Sequence, residues 1–319
     1  MIDNGYPEVC LIIGQMKKID DKHSFLQYRK DQEKKHLQLI ENTKNPLHSI
    51  LTVEMNLTEL CNRKCVFCPR HDPKVYPNRN LNTTIEDAST IAKRLADFNY
   101  VGRISFSGFG ENFLNKQFNE IVQAMRNELP NNVFECNTNG DFLNKKTVTE
   151  IYESGMDMLY INLYDGLEQI EPFVEIMKEA GISEDNYKLR AHHTQDEWGL
   201  FVNNRSGLID WIGFDEDDIE NLKGTKCHYP YYKMFVDWNG DVLFCSNDWG
   251  REIVVGNLIE SSVMDVWMGE EMKKVRDRLS VGDRSHSPCN TCSVKGDLFG
   301  EPSFNLINEY YESSNNRSH

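Results

Sequence analysis

The sequence predicts an α/β protein: a partial (β/α)6, TIM-like barrel with a small α/β domain appended at its C-terminal side. Three observations carry that prediction. Short apolar strands alternate with amphipathic helices between residues 49 and 207, the pattern that builds a parallel sheet through right-handed crossovers. The β/α units number roughly six, too few for a closed eight-fold barrel. Residue types suited to chemistry also gather where strands end, the side of such folds on which sites are built.

The elements follow in order. Residues 1–48 read as an N-terminal helical extension, with one polar helix over residues 25–40 carrying Phe25, Tyr28 and Leu37 among many charges. Residues 50–53 form the first strand. Thr83 and Glu86 have the spacing of a capping box, and Ile91, Leu95 and Phe98 line one face of the helix behind it. Residues 103–107 form a strand ending at Gly108, and Phe118, Ile121, Val122 and Met125 recur at helical spacing. A strand over residues 132–136 closes on Asn137-Thr138-Asn139-Gly140, and the next helix stops at Gly155, a glycine C-terminal signal. Residues 159–163 (strand), 169–179 (helix) and 187–192 (strand) complete the alternation, which occupies residues 49–207. Residues 208–226 are a linker containing an acidic run. A second domain then spans residues 227–296. It contains a hairpin over residues 235–245 with Asn239-Gly240 as its turn, and one helix over residues 262–279. Residues 297–319 read as a mobile tail.

Composition narrows the function classes. The chain has 319 residues, with 50 acidic and 35 basic side chains for a net charge of −15. That balance disfavours a nucleic-acid partner, since phosphate backbones call for excess Lys and Arg. No apolar run approaches the ~20 residues of a membrane span, and the first residues lack a secretory pattern. A cytoplasmic protein is therefore expected, without a membrane partner. Disulfides rarely persist in that compartment, so nine cysteines ask for another explanation.

Their spacing supplies one. Cys61, Cys65 and Cys68 form C-x3-C-x2-C, while Cys227, Cys245 and the pair Cys289-x2-Cys292 lie in the C-terminal third. Cys10 and Cys136 are left over. Thiolates this close in sequence can converge on one centre, and soft sulfur ligands favour zinc or iron–sulfur clusters. For the C-terminal four, spacing alone leaves a structural zinc site open. Three cysteines can hold three irons of a [4Fe–4S] cube and leave the fourth iron free to bind something else.

At these residues the chain resembles the radical SAM superfamily, whose signature is C-x3-C-x-Φ-C with Φ aromatic, here Phe67. Ser107-Gly108-Phe109-Gly110-Glu111 is similar to the family's glycine-rich segment, with Asn112 where members commonly carry proline. Thr138-Asn139-Gly140 is similar to its Thr-Asn-Gly at a strand end. The resemblance implies a [4Fe–4S] cluster on Cys61, Cys65 and Cys68 that binds S-adenosyl-L-methionine (SAM). One electron cleaves that cofactor to methionine and a 5′-deoxyadenosyl radical, which takes a hydrogen atom from substrate. In this reading Phe67 packs beside the adenine. Gly108 and Gly110 let backbone approach the methionine moiety, and Glu111, Asn139, Asn162 and Arg190 complete the cofactor site. An electron donor such as flavodoxin or ferredoxin is implied as a partner.

The C-terminal region resembles the SPASM/twitch extension of the same superfamily. Cys227, Gly240-x4-Cys245, Val255-Gly256-Asn257-Leu258, the helix carrying Trp267 and Cys289-x2-Cys292 all match its pattern. No cysteine follows Cys292, which points to the shorter twitch form with one auxiliary [4Fe–4S] cluster. Four thiolates leave that cluster no open iron, so it is expected to carry an electron. A carbon radical next to an oxygen is a strong reductant, and passing its electron on leaves a ketone. The spacing is similar to twitch dehydrogenases of sugar alcohols and aminocyclitols. The expected activity is thus oxidation of a small polar metabolite, a sugar, cyclitol or related compound. A redox-neutral epimerase using Cys136 as hydrogen donor and a SPASM-type peptide maturase are the alternatives. A non-enzymatic electron carrier would leave Gly108, Gly110 and Asn139 without purpose. Arg205 and Asp248 are the candidate substrate contacts, and of His192 and His193 at most one can enter the cavity.

Overall fold

The computed structural model describes residues 45–191, 203–211, 219–296 and 300–315, together with residues 34, 36, 38, 40 and 42. The features expected at Cys10, Phe25, Tyr28, Leu37, His192 and His193 lie outside the described residues.

Strands β1 (Thr52–Met55), β2 (Arg103–Phe106), β3 (Phe134–Thr138), β4 (Met158–Leu163) and β5 (Tyr187–Ala191) pair in parallel, each beside the next. Helices α1 (Ile85–Asp97), α2 (Phe118–Glu128), α3 (Lys145–Glu153) and α4 (Ile170–Glu179) make the crossovers. Alternation along each strand divides its side chains between two faces. On one face Val53, Met55, Ile104, Phe106, Phe134, Cys136, Leu159 and Ile161 form a core with Ile91, Leu95, Ile121, Val122, Val148 and Ile151 of the helices. The other face is largely polar: Glu54, Ser105, Glu135, Tyr160, Asn162 and Arg190 are all buried there. Such groups need partners. Glu54, for example, accepts from Ser107 Oγ at 2.5 Å and pairs with Lys233 Nζ at 2.7 Å.

The sixth parallel strand comes from beyond the expected linker. β6 (Lys233–Val236), entered from the short helix α5 (Tyr229–Tyr232), pairs with β1, Thr52 opposite Lys233 and Met55 opposite Val236. The sheet then continues antiparallel through β7 (Asp241–Leu243) and β8 (Val254–Asn257), in the order β5-β4-β3-β2-β1-β6-β7-β8. One sheet of eight strands therefore runs through both regions. Pairing with β6 satisfies the second edge of β1, whose buried N–H and C=O groups would otherwise lack partners. The hairpin turn forms at Gly240 (φ 82°), with Asp237 N donating to Asp241 O at 2.8 Å.

Three expectations are corrected. The cap of α1 is Thr84, which accepts from Asp87 N at 3.1 Å, because the Thr83 hydroxyl donates instead to Trp238 O at 3.0 Å. The single helix expected over residues 262–279 is two, α6 (Val263–Trp267) and α7 (Glu270–Ser280). At the break Gly269 is extended (ψ 164°), and a Cβ there would lie 2.1 Å from Asp265 O. Residues Glu301–Asn315 of the expected mobile tail form a helix, α8. Its buried residues Phe304, Leu306 and Ile307 cover apolar surface, and Ser303 Oγ donates to Ser49 O at 2.9 Å.

Candidate functional site

The first cysteine group lies on the loop between β1 and α1. Cys61 N donates to Asn78 Oδ1 at 3.0 Å and Cys61 O accepts from Asn78 Nδ2 at 2.9 Å, while Cys68 N donates to Cys65 O at 3.0 Å. Between the first two cysteines, Arg63 reaches the loops after β3 and β4. Its Nε and Nη2 donate to Asp141 at 2.7 and 2.5 Å, and its Nη1 and Nη2 donate to Asp165, both at 2.7 Å. Asn62 adds Nδ2 to Asp141 Oδ2 at 2.6 Å and accepts from Asn139 Nδ2 at 2.8 Å. The cysteine loop is thereby tied to the ends of two neighbouring strands. Burial pushes the thiol of Cys61 up to about 11 and that of Cys65 up to about 12. Metal binding at this loop must therefore displace protons.

The glycine-rich segment sits beside that loop. Asn56, just past β1, accepts from Phe109 N at 2.9 Å and Gly110 N at 3.1 Å and donates to Asp237 Oδ1 at 2.7 Å. Gly108 has φ 124°, and a Cβ on Gly110 would fall 2.2 Å from Thr58 O. The close approach at Gly110 is thus to the chain that leads into the cysteines. Glu111 is buried and accepts from Thr138 Oγ1 at 2.9 Å and Asn139 N at 2.8 Å. Burial raises its pKa to about 7 against those hydrogen bonds. Its carboxyl group holds the β3 end in place. Phe67 packs on Tyr164 with ring centroids 5.3 Å apart. Asn162 Nδ2 donates to Thr138 O at 2.9 Å, and Arg190 Nη1 to Asn137 Oδ1 at 2.9 Å. Phe67, Gly108, Gly110, Glu111, Asn139 and Asn162 therefore gather at the ends of β1 to β4, with Arg190 near the end of β5.

The second group converges from three places in the sequence. Cys227, Cys245, Cys289 and Cys292 line one small cavity, with Tyr229, Phe244, Leu279 and Arg284 in its wall. Cys245 follows β7, and Cys289 opens a single 3-10 turn. Asn247 N and Val294 N each point at a ligand sulfur, Cys245 and Cys292, at 3.4 Å. Four thiols lining one cavity suit a cluster held by four sulfur ligands.

Residues 203–208 connect the two groups. Asn204 N donates to Ser293 Oγ at 3.0 Å, while Thr291 Oγ1 donates to Ser206 O at 2.9 Å. Arg205, Ser206 and Gly207 all have positive φ (48°, 54° and 85°). Arg205 Nε is buried without a hydrogen-bond partner among the described residues; burial pushes the Cys68 thiol up, and the Arg205 charge opposes that shift. The other two candidate catalytic residues sit elsewhere. Asp248 is fully buried and accepts from Glu252 N at 3.0 Å and Ile253 N at 2.9 Å, so it closes its own loop. Cys136 belongs to the apolar core on the helix side of β3, with Asn112 Nδ2 3.7 Å from its sulfur. The expected interior position fails because Cys136 shares its strand face with Phe134. Arg63, Asn56 and Arg284 went unnoticed in the sequence. Only Arg63 carried a signal, its place inside the cysteine motif.

The radical SAM superfamily model matches residues 55–197, and an iron–sulfur cluster-binding domain, SPASM, matches residues 227–293. The chain is a radical SAM enzyme with a SPASM-type domain. Its cofactors are SAM with a [4Fe–4S] cluster and a second, auxiliary [4Fe–4S] cluster. The chain is similar to the S-adenosyl-L-methionine-dependent 2-deoxy-scyllo-inosamine dehydrogenase of Niallia circulans, 26% identical over 253 residues, 78% of this chain and 95% of that one. It is also similar to the crystal structure of BtrN in complex with AdoMet and 2-DOIA (TM-score 0.64, 25% identity), covering 77% of this chain and 96% of that one. A BtrN structure in an open conformation gives a TM-score of 0.59 at 20% identity, over 80% of this radical SAM chain and 97% of BtrN. No described helix of the enzyme is long and apolar enough to cross a membrane.

Proposed function

We propose that this enzyme oxidises a hydroxyl group of a sugar, cyclitol or aminocyclitol to a ketone. The observation that carries the proposal is the cavity lined by four cysteines from three segments. That arrangement supplies every ligand a cluster needs and leaves no position for substrate. When bound, SAM on the first cluster supplies a hydrogen-abstracting radical, and the auxiliary cluster supplies the acceptor for the electron left on the substrate carbon. The substrate thus loses one hydrogen atom from carbon, one proton from its hydroxyl and one electron.

The protein's part is placement. Phe67 and Tyr164 form an aromatic wall beside the first cysteine loop, and Asn139, Asn162 and Arg190 bring polar groups to the same strand ends. The buried polar face of β1 to β5 suits a substrate made mostly of hydroxyl groups. Arg205 is the substrate contact we favour, because its Nε, unpartnered among the described residues, lies on the segment joining the two cysteine groups. A guanidinium there orients the reacting hydroxyl and stabilises its deprotonated form. A low-potential carrier such as flavodoxin or ferredoxin in the cytoplasm would deliver the initiating electron.

Anaerobic turnover with SAM, dithionite and a panel of sugar alcohols and cyclitols tests the reading. The expected result is a ketone formed together with 5′-deoxyadenosine. Solvent deuterium entering a substrate of unchanged formula would replace this reading with epimerisation.

A further inference from the structure

We propose that Arg284 is the positioning residue of the auxiliary cluster, stapling the chain on both sides of the four cysteines and holding a positive charge, with no carboxylate partner among the described residues, against their thiolates. Arg284 follows α7, is 7% exposed and lines the same cavity as Cys227, Cys245, Cys289 and Cys292. Its Nε donates to Thr225 O at 3.0 Å and its Nη2 to Lys226 O at 3.2 Å, the two residues before Cys227. Its Nη1 donates to Val294 O at 2.7 Å and its Nη2 to Lys295 O at 2.6 Å, the second and third residues after Cys292. One side chain therefore joins the segment of the first ligand to the segment of the last.

All four of these acceptors are neutral carbonyl oxygens. Asp248, the carboxylate nearest in sequence to Cys245, is spent on the backbone N–H groups of Glu252 and Ile253. Among the described residues no carboxylate pairs with Arg284, and a buried guanidinium without a counter-charge is costly. Thiolates gathered in the same cavity provide one. A cluster held by four thiolates is negatively charged, and more so after it takes up an electron. A fixed positive charge at its wall stabilises the reduced form more than the oxidised one. Arg284 thus makes the auxiliary cluster a better electron acceptor than the same ligands would be alone.

The inference rests on the second cysteine group holding a cluster, and for its functional meaning on the electron-accepting role proposed above. Its test is independent of substrate. In the full chain carrying Cys61→Ala, Cys65→Ala and Cys68→Ala, the auxiliary cluster is the one observed after anaerobic reconstitution. Iron content and the midpoint potential, followed by EPR during redox titration, are then compared for Arg284, Arg284→Lys and Arg284→Gln. The Lys variant is expected to load about four irons and keep the parent potential. The Gln variant is expected to lower the potential by about tenfold in the equilibrium constant, roughly 59 mV for one electron. A loaded Gln variant at the parent potential overturns the proposal, as does a Lys variant shifted as far as the Gln one. If the Gln variant takes up no iron, the Lys variant decides. Loading at the parent potential supports the proposal, and failure to load overturns it. A parent chain that binds zinc here would instead overturn the cluster reading itself.

Discussion

The two cysteine groups solve opposite problems. The first lies on one loop, its three thiols within eight residues of sequence, and neighbouring side chains hold that loop in place. Its cation, Arg63, is neutralised by Asp141 and Asp165, whose side chains are 28% and 56% exposed. The second group is assembled from three segments around a cavity, and its cation, Arg284, bonds only to carbonyls among the described residues. The contrast follows from what each must do. A cluster that admits SAM needs an open iron and a fixed neighbourhood for the cofactor, so a short loop braced from outside is sufficient. A cluster that only takes an electron can be closed on all sides, and its wall can carry charge.

The largest expected effect separates the two groups outright. Replacing Cys61, Cys65 and Cys68 by Ala together should abolish 5′-deoxyadenosine formation and leave about four of about eight irons per chain. Replacing Cys289 and Cys292 by Ala should preserve SAM cleavage while ketone formation is lost. Product analysis by mass spectrometry and iron assay measure both. Retained ketone formation in the second variant would break the division of labour.

Steric probes sharpen it. Gly110→Ala puts a Cβ 2.2 Å from Thr58 O, and Gly296→Ala puts one 2.3 Å from Cys227 Sγ in a backbone with φ 79°. Each should cost about 1–3 kcal/mol in thermal unfolding. Only the first should weaken SAM binding, and only the second should release iron from the auxiliary site.

Arg63→Lys comes next. A lysine keeps the charge but cannot make paired contacts to both aspartates. The KM for SAM should rise severalfold with little change in kcat, and added salt should enlarge the defect because the clamp is partly exposed. An unchanged KM would remove the clamp from the account of the first site.

The smallest effect concerns Glu111. Its pKa is raised to about 7 by burial, so the folded chain holds this proton more tightly than the unfolded one. The associated stability is complete below the ordinary carboxylate range and is lost as pH rises through about 7. Glu111→Gln should flatten that part of the profile of Tm against pH. An unaltered slope would assign it to other groups.

Much of the site was legible in the chain because ligand spacing within a loop is a local property. Cys61, Cys65 and Cys68 are brought together by seven peptide bonds or fewer, and strand–helix alternation announces which ends carry function. Two candidates, Asp248 and Cys136, take places that the chain's spacing does not reveal. Both have the right chemistry at plausible positions, but a carboxylate spent on two backbone N–H groups and a thiol in an apolar core are facts of neighbours distant in sequence.

By itself, then, the sequence determined a radical SAM loop, a second set of four thiols and the parallel character of the sheet, all encoded in short spacings and periodicities. Tertiary structure alone decided that β6 pairs with β1, that Asn56 joins the glycine-rich segment to Asp237, and that Arg284 stands against four cysteines. Those contacts link residues far apart in sequence. Such pairings are chosen by which buried polar groups can satisfy one another once the chain has folded, and no local pattern records that choice.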